Sequence, residues 1–297
     1  MVQLARRGVR AVPACPVADV TFSDVISVII PAKDPSQGLD AAVASVLRLL
    51  PDAEVIVVDD GSNPPVAEIS GARVLRQTNA GPGAARNTGA AAATQGWLLF
   101  LDADDELLDG AVVAADIARA GEFGLVCGAT VIERAGQTTV AMPSPTGGND
   151  ELLRLSATAG AFLVRREVFE SAGGYDEELR FGENTDVIAR CAALTQVTAI
   201  DSVMVKYNAP IDERKYDERR YAAAEHILRR DRHIDGRGRA RLHGIAAVNA
   251  SRVGRYGSSI SHSWLAFRAV PSGQSLTRVL IACTGPVGRR WWLRQAR

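Results

Sequence analysis

A chain of 297 residues with 47% hydrophobic and 23% charged residues has the composition of a globular protein that can bury a full core. Lysine plus arginine and aspartate plus glutamate both number 34, so the overall charge gives no reason to expect a nucleic-acid partner. No stretch approaches the roughly 18 apolar residues of a membrane span, which predicts a cytoplasmic protein, peripheral to a membrane at most. Four widely spaced cysteines favour reduced thiols over a metal site.

The first third of the chain alternates short apolar strands with helices. A loosely ordered extension is expected over residues 1–24, where prolines interrupt a short apolar stretch. Strands are predicted at 26–30, 54–58, 72–76 and 97–101, and helices at 39–50 and 83–94. Continuous apolar strands that alternate with helices are typical of a parallel sheet covered on both faces.

The pattern changes after Gly110, where strands of a different, antiparallel part of the sheet are expected. This part also contains a proline- and glycine-rich loop at 143–149 and, further on, an amphipathic helix at 217–230. The predicted strands are 125–132, 138–142 and 161–164, and the predicted helices are 111–120, 166–172 and 186–194.

Three polar clusters, at 31–34, 59–62 and 102–105, follow three of the predicted parallel strands. Since the carboxyl ends of parallel strands meet at one edge, where such sheets bind ligands, all three are expected on the same rim. Asp102, Asp104 and Asp105 repel one another unless a cation joins them, which indicates Mg²⁺ or Mn²⁺. The alternative is a solvated acidic turn before a helix.

The other two signals are weaker when taken alone. Asp59 and Asp60 precede a tight glycine turn and can accept hydrogen bonds from a ribose or a base, although taken alone they fit an ordinary turn better. Residues 79–89 form a glycine-rich start to a helix, whose free N–H groups suit phosphate, with Arg86 on its first turns.

Taken together and in order, these motifs resemble those of the family 2 glycosyltransferases, which have the GT-A fold. The resemblance rests on the following segments: 26–31, 57–62, 79–89, Asp102-Ala-Asp104 as the DxD metal motif, and 173–178 with 182–186 as the acceptor-side signature. It covers residues 25–210 and implies a mostly parallel nucleotide-binding sheet flanked by helices (25–110). A smaller mixed acceptor-side sheet (111–210) and a helical C-terminal region (211–297) would follow.

The resemblance also implies roles for single residues. Asp104 would hold the divalent metal, and Glu183, Asn184 and Asp186 would lie beneath the acceptor. The residues expected to bind the donor are Pro31, Ala32, Asp34, Asp59, Asp60, Arg86 and Asp102.

Two positions depart from the family pattern. Ala32 stands where many members have an aromatic residue that stacks on the base. Asn184 stands where the family has the aspartate commonly assigned as the catalytic base, and an amide cannot take a proton at neutral pH. The base is therefore Glu183, Asp186 or neither, and Asp186 can equally be a first-turn acid of the next helix.

The expected reaction transfers a sugar from a UDP-, GDP- or dTDP-sugar to a hydroxyl of a glycan, lipid-linked or small-molecule acceptor. The family resemblance implies inversion, in polysaccharide, glycolipid or other glycoconjugate synthesis. One sugar per encounter is expected, because the Gln-x-x-Arg-Trp motif of processive synthases is absent. The alternatives are a catalytically inert binding or scaffolding protein and a sugar nucleotidyltransferase. An Arg/Trp-rich tail at 289–297 indicates contact with a membrane surface as an alternative to packing on the core.

Overall fold

The structure is a computed structural model, and it describes residues 26–35, 38–134, 136–143, 158–179, 182–208, 213–230 and 236–284. The predicted N-terminal extension (1–24), most of the predicted loop at 143–149 and the Arg/Trp tail at 289–297 lie outside the described residues.

The parallel half of the sheet forms from the four strands predicted in the first third of the chain, in the order β3-β2-β1-β4. Its strands are β1 (Ile26–Ala32), β2 (Glu54–Asp59), β3 (Arg73–Arg76) and β4 (Trp97–Phe100). Helix α1 (Gly38–Leu49) connects β1 to β2, and α2 (Pro82–Ala92) connects β3 to β4. Proline in the first turn of α2 suits that position, since its missing N–H would have no partner there.

The mixed half continues the same sheet from the edge of β4, in the order β4-β8-β6-β9-β5, with β7 paired to β6. Its strands are β5 (Glu106–Leu107), β6 (Leu125–Arg134), β7 (Gln137–Ala141), β8 (Phe162–Arg165) and β9 (Val197–Asn208). Within this half only the β6–β9 pair is parallel among the described strands. Its helices are α3 (Gly110–Arg119), α4 (Arg166–Ser171) and α5 (Glu183–Ala192).

Helices cover both faces of the sheet, because its strands carry apolar side chains on both faces. One buried cluster packs α1 and α3 against one face, and a second packs α2, α4 and α5 against the other. Helix α2 approaches the sheet closely at Gly89, where an added Cβ would lie 2.4 Å from the Ile29 Cγ2 atom of β1. The core therefore holds the strand ends that carry the polar clusters rigidly in place.

Four helices follow β9: α6 (Glu213–Arg230), α7 (Gly236–Arg252), α8 (Tyr256–Ala269) and α9 (Gly273–Cys283). Each packs against the next along the chain. A small apolar cluster that contains Leu179, Ile227 and Leu242 joins α6 and α7 to the segment before α5.

Two local predictions differ from the structure. The helix predicted from residue 186 begins at Glu183, because Gly182 adopts a left-handed conformation (φ 75°) that starts it one turn earlier. The alternative of a helix directly after the acidic turn is wrong, since Glu106 and Leu107 pair with β9 as a short strand.

Candidate functional site

The three polar clusters lie side by side, as the parallel order predicts. Ala32 is paired with Asp59 at the end of β1 and β2, and β4 runs beside β1 up to Phe100. The loops beyond the strands are joined as well, because the Asp34 N–H donates to the Ser62 hydroxyl over 2.9 Å. The single rim predicted from the sequence is confirmed.

Asp59 is buried at the end of β2 and organises the turn that follows. Its carboxylate accepts the N–H groups of Ser62 (2.8 Å) and Val66 (3.2 Å) and pairs with Arg76 at 2.5 Å. Burial raises the pKa of Asp59, but the hydrogen bonds from Ser62 and Val66 and the charge of Arg76 outweigh burial and leave the pKa lowered. Asp59 is thus an ionised residue whose oxygens already have partners within the turn.

Asp60 fastens the end of β2 to the start of α2. Its carboxylate accepts the Gln77 side-chain amide (2.9 Å) and the backbone N–H groups of Ala80 and Gly81 (both 2.8 Å). The glycine-rich start of α2 is therefore held by Asp60, and the predicted donor role of Asp60 remains a prediction.

Asp34 projects from the rim, with 54% of its side chain exposed. The Asn63 N–H donates to it (2.8 Å) and Lys33 pairs with it at 3.3 Å, and these contacts lower its pKa, the bond from Asn63 first. Ala32 is buried and Pro31 is half-buried, so neither presents the broad surface on which a base would stack. Of the donor residues predicted at the end of β1 and in the loop after it, Asp34 is the most exposed.

The acidic turn after β4 has more negative charge than its surroundings neutralise. Burial, and then the negative charge of Asp102, raises the pKa of Asp104, and the same two causes raise the pKa of Asp105 to about 8. Asp105 is buried and receives the Asn208 N–H at 3.1 Å on one oxygen, whereas its Oδ2 has no partner among the described residues. Asp104 is exposed on the rim as a residue, although neighbouring atoms partly desolvate its carboxylate.

Arg86 connects this acidic turn to the acceptor-side signature. Its guanidinium, only 2% exposed, lies 2.5 Å from Asp102 and 3.1 Å from Glu183, and it stacks 5.1 Å from the ring centre of Tyr175. Burial lowers the pKa of Arg86, but the charges of Asp102, Tyr175 and Glu183 outweigh it and leave the pKa raised. Arg86 is therefore a permanent cation shared by the predicted DxD motif and a candidate base.

The three acceptor-side candidates lie on the first turn of α5 in different surroundings. Glu183 is largely buried and turns one oxygen to Arg86, as described above. Asp186 is buried and paired with Arg190, whose Nε and Nη2 atoms lie 2.9 and 2.5 Å from one carboxylate oxygen. Asn184 is also buried, and its Oδ1 accepts the Tyr175 hydroxyl at 2.8 Å.

The sequence contains a signal for the Asp186–Arg190 pair. Asp186 and Arg190 are four residues apart in a helix, a spacing that places side chains of opposite charge together.

Tyr175 has a central place that the sequence did not predict. A tyrosine followed by three acids is typical of a solvated turn, but Tyr175 is buried, and Phe100 and Phe169 have ring centres 5.0 and 5.7 Å from its own. Asn87 of α2 receives the Tyr175 N–H and donates to its carbonyl oxygen (2.8 and 3.0 Å). Tyr175 is therefore a core residue that supports both Arg86 and the first turn of α5.

Asp176 joins the segment before α5 to the C-terminal helices. His226 of α6 lies 2.8 Å from its Oδ2 atom, and Arg230 of α6 contacts the same atom. Burial raises the pKa of Asp176, but the His226 hydrogen bond and the Arg230 charge contribute to a net lowering. His226 is itself half-buried, with 26% of its side chain exposed.

Solved structures with this architecture include those of TarS from Staphylococcus aureus. The chain superimposes on TarS residues 1–349 with a TM-score of 0.58 at 16% identity, over 92% of both chains. A TarS structure in complex with UDP-GlcNAc matches with a TM-score of 0.59 over 89% of this chain and 88% of that one. At this identity the likeness establishes the fold alone, and it confirms the predicted GT-A type of α/β architecture.

Sequence comparison identifies the family. The model of glycosyl transferase family 2 matches residues 27–174. A PGL/p-HBAD biosynthesis glycosyltransferase of Mycobacterium bovis is 30% identical over 184 residues, which are 56% of this chain and 69% of that protein. The chain belongs to glycosyl transferase family 2.

Other relatives are longer than the region they share with this chain. EpsJ of Bacillus subtilis, called an uncharacterised glycosyltransferase, is 27% identical over 186 residues, 54% of each chain. The pre-mycofactocin glycosyltransferase of Mycobacterium tuberculosis is 31% identical over 191 residues, 56% of this chain and 38% of that protein. The chain therefore spans about half or less of these two relatives.

Proposed function

We propose that this protein transfers a sugar from a nucleoside diphosphate sugar to an acceptor hydroxyl, with inversion and one sugar per encounter. The observation that carries the proposal is the Arg86 guanidinium, which contacts Asp102 of the donor rim and Glu183 of the acceptor-side signature. Donor acids and a candidate base therefore belong to one site. The UDP and UDP-GlcNAc complexes of TarS support a nucleotide-sugar donor. A UDP-, GDP- or dTDP-sugar fits the rim chemistry.

The acidic turn suits a divalent metal. Within the described ranges no three His, Cys, Asp or Glu side chains form a ready-made metal site. Mg²⁺ and Mn²⁺ can use one or two carboxylates plus phosphate oxygens and water, which Asp104 and Asp102 can provide with the donor. The raised pKa values of Asp104 and Asp105 and the unpartnered Asp105 oxygen fit a place where cationic charge is needed. When bound, the metal would neutralise negative charge on the departing diphosphate.

Glu183 is the better base of the two carboxylates. Asp186 has one oxygen committed to two N–H groups of Arg190 and is almost fully buried. Glu183 is paired with Arg86, and the same guanidinium contacts the donor rim, so this pairing keeps Glu183 next to the donor residues. In the proposed step Glu183 takes the acceptor proton while the acceptor oxygen bonds to the anomeric carbon. The bond to the diphosphate breaks at the same time, and its electron pair leaves with the nucleotide.

The test compares the full-length protein with Asp104→Ala, Glu183→Gln and, as a surface control, Asp116→Asn. Release of nucleoside diphosphate is followed for each donor with Mn²⁺ or Mg²⁺, and donor binding is measured by calorimetry. Asp104→Ala should lose metal-dependent donor binding. Glu183→Gln should bind the donor normally but turn over about 10²- to 10⁴-fold more slowly, the usual contribution of a general base. A Glu183→Gln protein with unchanged turnover would reject the assigned base, and no binding of any donor would reject the proposal.

A non-catalytic binding protein is the second candidate, and Asn184 is the observation that favours it. Its amide cannot accept a proton, and its Oδ1 is already used by Tyr175. This candidate predicts donor binding without turnover in the wild-type protein. The nucleotidyltransferase alternative has less support, since Lys33, the basic residue directly after β1, donates to the Gly61 carbonyl oxygen at 2.5 Å.

A further inference from the structure

The last 62 residues of the chain differ sharply in charge from the rest. Residues 236–297 contain eleven arginines and neither an aspartate nor a glutamate. The whole chain has equal numbers of acidic and basic residues, so the part before residue 236 carries a matching excess of acids. The balanced total therefore conceals a strongly cationic C-terminal segment, which includes α7, α8 and α9.

The same segment exposes large apolar side chains. Of the nine large hydrophobic residues that are exposed in the described part of the chain, five lie on α8 and α9: Ile260, Trp264, Leu265, Leu276 and Leu280. Trp264 is 48% and Leu280 62% exposed. We call these five residues the α8–α9 surface. Exposed apolar side chains that are grouped on helices normally mark a surface that binds an apolar partner, such as a protein or a membrane.

The two helices bury other residues and leave this surface outside. In α8 the buried positions are Ser259, His262, Ser263 and Ala266, which are small or polar. Ile260 and Trp264 are one turn apart on α8, and Leu276 and Leu280 are one turn apart on α9. The larger apolar side chains thus point away from the helix packing, with Arg268 and Arg278 on the same two helices.

We propose that the α8–α9 surface binds the headgroup region of an anionic lipid bilayer and holds the protein at the membrane peripherally. Exposed tryptophan and leucine on helices of an acid-free, cationic segment fit the composition of helices that lie in a membrane interface. Arginines near an anionic surface add electrostatic attraction. None of the described helices is both long enough and apolar enough to cross a membrane.

Charge and side-chain type favour this occupant over two others. A second copy of the chain would bring two acid-free, arginine-rich segments together, and their like charges would repel. A nucleic acid would match the charge, but exposed leucine and isoleucine have no ring to stack on bases. An anionic bilayer satisfies both the cationic and the aliphatic side chains.

The test uses the full-length protein and vesicle sedimentation with phosphatidylcholine alone or mixed with phosphatidylglycerol. The wild type should bind the anionic vesicles, and Leu276→Ser/Leu280→Ser should lower the partition coefficient about tenfold, because apolar area no longer enters the interface. Val140→Ser/Met142→Ser is the matched control, since both residues are similarly exposed on or beside β7. This assay requires no turnover, so its result is independent of the proposed transferase reaction.

A second measurement tests directly whether Trp264 enters the bilayer. In a Trp291→Phe/Trp292→Phe background, the remaining tryptophans are Trp264 and the buried Trp97. Brominated lipid should then quench the emission of Trp264. The proposal is overturned if wild type does not bind anionic vesicles, or if binding is equal in both double-serine variants. It is also overturned if the leucine substitutions change the oligomeric state or RNA binding and leave vesicle binding intact.

Discussion

The Arg86→Met substitution would leave the carboxylates of Asp102 and Glu183 without the guanidinium that contacts both. Removing one partner of a buried ion pair costs about 3–5 kcal/mol. Asp102 keeps 30% and Glu183 14% of its side chain exposed, so water offsets part of the loss. We therefore expect the lower end, about 3 kcal/mol, which corresponds to a Tm decrease of roughly 6–12 °C for a chain of this size class.

Urea and thermal unfolding would measure this loss against a matched surface control. Arg119→Met breaks the pair with Asp116, whose partners are 45% and 68% exposed, and should cost less than about 1 kcal/mol. Adding Glu183→Gln to Arg86→Met should restore part of the stability, because one uncompensated charge is removed. If Arg86→Met unfolds at the same temperature as Arg119→Met, the guanidinium is not the counter-charge that holds the site together.

Two further predictions concern stability. Burial, and then the charge of His262, lowers the pKa of His243 to about 4, below its unfolded-state value of about 6.5. The contribution of His243 to the free energy of unfolding is therefore fully present above about pH 6.5 and is lost as the pH falls toward 4. In urea unfolding measured across this pH range, the free energy of unfolding of His243→Gln should fall less with decreasing pH than that of the wild type. An unchanged pH dependence would contradict the assignment. Gly89→Ala should cost about 1–3 kcal/mol by pushing a Cβ against Ile29, whereas Gly257→Ala, with no atom within 4 Å of its Cβ, should stabilise helix α8 by about 0.5 kcal/mol. Equal effects of the two alanines in thermal unfolding would refute this contrast.

The rim could be predicted because it follows from local pattern and one topological rule. Apolar runs mark the parallel strands, and polar residues directly after them mark the strand ends. Once the strands are parallel, Asp34, Asp59 and Asp102 must follow adjacent strand ends, and the register of β1 with β2 and β4 confirms it. No distance information was needed for this part of the site.

The partners across the site could not be predicted, because they depend on packing between distant segments. Arg86 and Glu183 are 97 residues apart, and His226 lies 50 residues from Asp176. A tyrosine next to three acids fits a surface turn when only its neighbours are known. Tyr175 becomes a core residue because the aromatic side chains of β4 and α4 surround it in the fold.

Charge balance gives a physical reason for an amide at position 184. The Tyr175 hydroxyl is buried and requires an acceptor, which Asn184 supplies without adding charge. Tyr175 also stacks under Arg86, whose single positive charge is already shared by Asp102 and Glu183. A third carboxylate at a position as buried as Asn184 would need a counter-charge of its own. Without that counter-charge, the buried carboxylate would cost several kcal/mol of stability. The neutral amide therefore preserves the hydrogen bond while Arg86 serves the two remaining acids, and under the proposed reaction proton transfer falls to Glu183.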